Sequence, residues 1–96
     1  MIRVRIPQIR DIRLAIQLYY ERIELSNSDI ETLFGKHSSS TVAKLKDLAR
    51  DYMVQHGVQI WNPLCVNTKV AYAAWGLDIN DLEKRYLKLR ELAKLA

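Results

Sequence analysis

The side chains able to do chemistry in this chain are few and scattered. They are His37, His56, Cys65 and eleven carboxylates. A cysteine nucleophile needs an adjacent base and a polar setting. Cys65 stands between Leu64 and Val66 and reads instead as a small buried hydrophobe. His37 and His56 lack helical i, i+4 partners and any Cys-x-x-Cys companion, so no metal site is expected. Three isolated glycines supply no phosphate-cradling loop. Asp78 and Asp81 are placed to start a helix rather than to act as an acid/base pair. The reading is a chain with no active site, no cofactor and no evident small-molecule substrate.

A different chemistry is better represented. No acid occurs between Glu31 and Asp47, while Lys36, Lys44 and Lys46 supply three cations and His37 can add partial charge. Ser38, Ser39, Ser40 and Thr41 are short hydroxyls that can bond phosphate oxygens or base edges. Together these residues form a candidate contact set for double-stranded DNA, with Lys36 assigned to a backbone phosphate. Two features oppose it. Asp47 and Asp51 face away from the core stripe and would be repelled by phosphates. Over residues 26–57, the basic and acidic side chains also cancel at four each.

Composition sets the frame for these residues. Ninety-six residues make one domain, and 49% hydrophobic with 27% charged residues is a globular composition. A net charge of +4 tolerates a nucleic-acid partner without demanding one. One cysteine excludes an internal disulfide framework and suits a reducing, cytoplasmic setting. No apolar run is long enough for a membrane span, and the start has no signal-peptide pattern.

The elements that must position the contact set can be read in order. Residues 1–8 are an arm, in which Arg3 and Arg5 either reach a minor groove or flank a short edge strand. A first helix spans about Ile9 to Glu24. Ile9, Ile12, Ile16, Tyr19, Tyr20 and Ile23 fall on one stripe, and Leu14, Leu18 and Leu25 nearly opposite. Such a helix is either sandwiched in the core or packed on a second chain. Ser26 caps a short second helix, with Asp29 at its third position and Leu25 and Ile30 as a staple. Gly35 closes it in a left-handed conformation. One of Ser38, Ser39 and Ser40 caps a third helix running from about Ser40 to His56, with Val42, Leu45, Leu48, Ala49, Tyr52 and Met53 toward the core. Residues 58–66 read as a small hairpin about Asn62-Pro63. Asn67 caps a fourth helix closed by Gly76. Asp78 caps the last, residues 78–96. The tryptophans and tyrosines fall mainly on apolar stripes and read as core, not as base-stacking platforms. The fold class is all-α, about five helices in a single domain over 1–96.

The stretch Ser28-Asp29-Ile30-Glu31-Thr32-Leu33-Phe34-Gly35-Lys36 followed by Ser40-Thr41-Val42-Ala43-Lys44-Leu45-Lys46 resembles the bacterial and phage helix-turn-helix proteins. The likeness covers residues 27–57, about the middle third of the chain. It departs from the pattern where Glu31 or Thr32 replaces the usual small alanine, and its turn is about one residue long. If the hairpin forms, the unit is similar to the winged version, with Gln59, Asn62 and Lys69 near the wing. The resemblance implies a sequence-reading DNA-binding protein, a small regulator whose second motif helix enters the major groove, about 12 Å wide.

Two other functions compete with that one. A helical protein–protein or assembly module would use the second stripe of the first helix and the C-terminal helix, where Lys84, Arg85, Lys88, Arg90 and Lys94 outnumber the acids. A phage DNA-packaging or recombination accessory protein would use the same motif in another role. A homodimer is expected, because Leu14, Leu18 and Leu25, joined by Leu87 and Leu95, exceed what so small a core can cover.

Overall fold

Every helix begins at a side chain that satisfies its first amide groups, and these caps fix the architecture. The computed structural model describes residues 6–95. In chain order it contains α1 (Ile12–Glu21), β1 (Glu24–Leu25), α2 (Asn27–Phe34), α3 (Ser39–Gln55), β2 (Val66–Asn67), α4 (Thr68–Ala74) and α5 (Ile79–Leu95). Arg3 and Arg5 of the arm lie outside the described residues.

Asp11 caps α1 by accepting from the Arg13 amide at 2.8 Å, so α1 starts three residues later than periodicity predicts. At α2 the Ser26 hydroxyl accepts from the Asp29 amide, and Asp29 accepts from the Ser26 amide in return. This reciprocal pair satisfies two otherwise unpaired donors. Of the three candidate serines, Ser38 caps α3. Asn67 caps α4, accepting from the Val70 amide at 3.1 Å. Asp78 accepts from the Asn80 amide at the head of α5.

The core is one cluster fed by all five helices. Ala15 and Leu18 enter from α1, Ile30, Leu33 and Phe34 from α2, and Val42, Leu45, Ala49 and Met53 from α3. Ala71, Tyr72 and Leu82 complete it from α4 and α5, with Trp75 just past the end of α4. Two buried aromatics also carry hydrogen bonds between helices. The Tyr72 hydroxyl donates to the Ala15 carbonyl at 2.6 Å, and the Trp75 indole donates to the Leu45 carbonyl at 2.9 Å. Both polar groups are thereby satisfied without water.

The two-sided apolar character of α1 is resolved inside one chain. Leu18 and Leu25 are buried, while Leu14, Ile12 and Ile16 are half-buried. Tyr86 of α5 borders Arg13 and Ile16, and Tyr20 donates a hydrogen bond to Glu83. Helix α1 is therefore sandwiched between the core and α5. With 10 residues against 17, however, it is too short to cover α5, and from Leu87 to Lys94 every residue is exposed.

The antiparallel sheet has two strands and a long-range pairing. Glu24 is opposite Asn67, and Leu25 is opposite Val66. The second strand thus ends the 58–66 stretch, but its partner is the segment before α2 rather than residues 58–61. Those residues form no strand. Asn62 to Cys65 make the expected tight turn with Pro63 second, closed by the Cys65 amide donating to the Asn62 carbonyl at 3.0 Å.

Candidate nucleic-acid interface

The corner between α2 and α3 is built by a glycine and two side chains. Gly35 adopts φ 85° and ψ 178°, an extended positive-φ conformation that only glycine enters readily, and not the left-handed helical form expected. The His37 ring nitrogen Nε2 lies 3.1 Å from the Phe34 carbonyl, so its N–H closes the last turn of α2. Ser38 then accepts from the Thr41 amide, with its oxygen 3.0 Å from the Thr41 hydroxyl and 3.2 Å from that of Ser40.

This corner exposes Lys36, Ser38, Ser39, Ser40 and Lys44, and leaves Thr41 half-buried. Six of the seven predicted contact residues therefore gather around the first two turns of α3. Ile6 and Pro7 border the same end of the helix beside His37 and Thr41, so the chain enters the fold there. The surface is not uniformly basic. Ser39 lines a depression of about 230 Å³ with Asn27, Glu31, Asp47 and Arg50. Asp47 and Asp51 are exposed one and two turns beyond Ser40 and Lys44. Phosphate approach is thus favoured over the first two turns of α3 and opposed further along.

The seventh residue, Lys46, is placed differently. It is only 8% exposed, and its ammonium donates to the Leu64 carbonyl at 2.5 Å. Burial lowers its pKa from the ordinary lysine value, and the nearby Arg50 cation adds to the shift. A phosphate contact from Lys46 is corrected on this ground, because the side chain is buried and directed at the Leu64 carbonyl instead of standing exposed with the other six. Arg50, one turn on, donates to the adjacent Pro63 carbonyl. Two cations of α3 therefore clamp the segment 58–65.

That segment carries the residues that sequence reasoning missed. Trp61 is 74% exposed, and Leu64 and Ile60 are exposed with it, although an apolar stripe implied core. Tyr20 is also exposed, whereas Trp75 and Tyr72 are buried as expected. No sequence signal separates Trp61 from a core tryptophan, because the carbonyls that hold its loop to α3 lie 13 and 18 residues from Arg50 and Lys46.

No family model, curated protein or solved structure matches this chain.

Among the described residues no cluster of three or more His, Cys, Asp or Glu side chains could hold a metal. Cys65 is half-buried, and His56 stacks on Tyr52 with ring centroids 4.6 Å apart. No described helix is long and apolar enough to cross a membrane.

Proposed function

We propose that this chain is a cytoplasmic helix-turn-helix DNA-binding protein, a small regulator of bacterial or phage type. The N-terminal turns of α3 enter the major groove of a duplex. The observation that carries this reading is the corner itself. A capped two-turn helix, a glycine-led turn and a long helix present Lys36, Ser38, Ser40 and Lys44 together at an exposed helix end. Hydroxyls and cations at such an end suit phosphate oxygens and base edges, and the positive end of the helix dipole adds to the attraction. The β1–β2 pairing returns the chain from α3 to the segment before α2, but the hairpin over 58–66 that a wing requires does not form, so the reading stands without a wing.

The protein pairs as a homodimer through the second half of α5, where Leu87, Leu89 and Leu92 are exposed beyond the reach of α1. Those leucines equally favour a second reading, an assembly module that does not bind DNA. Titration with duplex DNA at rising salt separates the two. Groove binding predicts a log–log slope of about −0.9 per neutralised phosphate, and the assembly module predicts no binding even near about 50 mM salt.

A further inference from the structure

The fold leaves one buried polar group unsatisfied. Among the described residues, the Thr68 hydroxyl is the one fully buried side-chain polar atom without a hydrogen-bond partner. Thr68 is only 1% exposed. An unpaired group at that depth costs free energy, so it calls for a partner. The backbone around it is already engaged. The Thr68 amide donates to the Ile23 carbonyl at 3.0 Å, and the Val70 amide donates to the Asn67 side chain. The surroundings of the hydroxyl that remain are side chains, not helix amides.

Thr68 lines a cleft of about 600 Å³ between the end of α1, the start of α4 and the first residue of α5. A space of that order suits a small organic molecule. One wall is aromatic and fixed. Tyr19 meets Tyr20 edge-on with ring centroids 5.2 Å apart, and rests on the buried Tyr72 at the same distance. The Tyr20 hydroxyl is pinned by its bond to Glu83. Yet Tyr20 and Ile23 are 65% and 82% exposed, so two large apolar side chains stand bare at the rim. The charge is one-sided: Arg22 and Lys69 line the cleft, both exposed, and no acid does. Asp29, 3.4 Å from the Arg22 Nε, offsets part of one cation. Asp78 lines the adjoining hollow, which shares Tyr19, Lys69 and Ile79, and opposes negative charge there. One negative charge is therefore favoured over two.

We propose that this cleft binds a small monocarboxylate carrying an aromatic or branched apolar body. The carboxylate accepts from Arg22, Lys69 and the Thr68 hydroxyl, in hydrogen bonds strengthened by charge. Threonine has two χ1 rotamers open to it in a helix, so the hydroxyl turns to the ligand without backbone movement. The apolar body covers Ile23 and lies against the tyrosine wall, leaving water as it does so. Inorganic phosphate would bring charge without that body. The site is independent of the DNA-binding reading.

The probe is phenylacetate, titrated into the intact chain and followed through backbone amide shifts by nuclear magnetic resonance. Uncharged phenylacetamide and inorganic phosphate are the comparisons. Shifts at Ile23, Thr68 and Lys69 should saturate with a Kd of about 1 mM or tighter. Phenylacetamide and phosphate should each bind at least about tenfold more weakly. Lys69→Gln should weaken phenylacetate by about two- to fivefold and leave phenylacetamide unchanged. Thr68→Val keeps the shape and removes the hydroxyl, so phenylacetate should weaken roughly tenfold. The thermal midpoint of the free variant should be equal or higher, because no bond is lost. A lower midpoint would show that the hydroxyl already serves the fold and would overturn the proposal. Equal affinity for phenylacetate and phenylacetamide, or for phenylacetate and phosphate, would overturn it by showing that charge or the apolar wall selects nothing. So would the absence of saturable shifts at about 10 mM. A chain that binds no duplex leaves the cleft standing.

Discussion

The ammonium of Lys46 lies 2.5 Å from the Leu64 carbonyl, joining the middle of α3 to a loop eighteen residues further along the chain. With Arg50 on Pro63 it fixes the loop between α3 and β2 against the helix that carries the candidate contacts. Replacing Lys46 with Met should keep the stem packed but leave the Leu64 carbonyl without its charged donor. The expected cost is about 1–3 kcal/mol, measured by urea unfolding. Hydrogen exchange of the Leu64 and Cys65 amides should quicken more than that of the α3 core. An unchanged exchange pattern would show that the clamp does not hold the loop.

Gly35 is expected to tolerate no side chain. Its φ of 85° with extended ψ is strained for any L-residue, although nothing lies within 4 Å of an added Cβ. The cost of Gly35→Ala is therefore backbone strain alone, about 1–3 kcal/mol. A drop in the thermal midpoint tests this, and an unchanged midpoint would show that the corner can relax.

Alkaline pH should destabilise the fold through Tyr72. Burial raises its hydroxyl pKa well above the ordinary value of 10.0, with the nearby Asp29 charge adding to the shift. Below that value both folded and unfolded states keep the proton, and the group contributes no pH dependence. Above it the unfolded chain ionises first, so stability falls as pH rises. Tyr72→Phe should lose about 1 kcal/mol at neutral pH, with the bond to Ala15, and decline less steeply above about pH 10. Thermal melts across that range give the comparison; equal slopes would show that Tyr72 does not carry the effect.

Asp47 should oppose DNA binding. It is exposed one turn beyond the candidate contacts, so Asp47→Asn should tighten binding by about 0.2–1 kcal/mol, the range of exposed charge interactions. Weaker binding would mean that Asp47 accepts a bond from a base, as a carboxylate can from a cytosine amino group.

The overhang of α5 predicts where pairing fails. Leu89→Glu should leave each domain folded and yield monomers by sedimentation equilibrium, because Leu89 is exposed and lies outside the core cluster. Leu18→Glu should instead unfold the domain, since Leu18 is part of the core. A wild-type chain that is already monomeric, with DNA present or absent, would exclude the dimer.

What could be read from the residues was local. Ser26 with Asp29, Asn67, Asp78 and the closing glycines mark the helix ends because capping acts over three or four residues. The periodicity of α3 also named its core face. Non-local arrangements were hidden. The pairing of Leu25 with Val66 joins residues 41 apart in the chain, and two-residue strands leave no alternating pattern. Lys46 reads as surface by charge, since sequence does not reveal that a distant carbonyl waits beside it. Helix α5 has a continuous apolar stripe, but whether it is covered depends on the length of α1. Trp61 has the composition of core and the position of a loop tip, and only the fold separates the two.

The central claim is that the first turns of α3 meet phosphate and base. The most direct measurement is the salt dependence of duplex binding for the wild-type chain and for the variant carrying both Lys36→Ala and Lys44→Ala. Two lost phosphate contacts should flatten the log–log slope by about 1.8, at about 0.9 for each, and weaken binding at every salt concentration. An unchanged slope in a folded double variant, or no binding by the wild type at low salt, would contradict the claim.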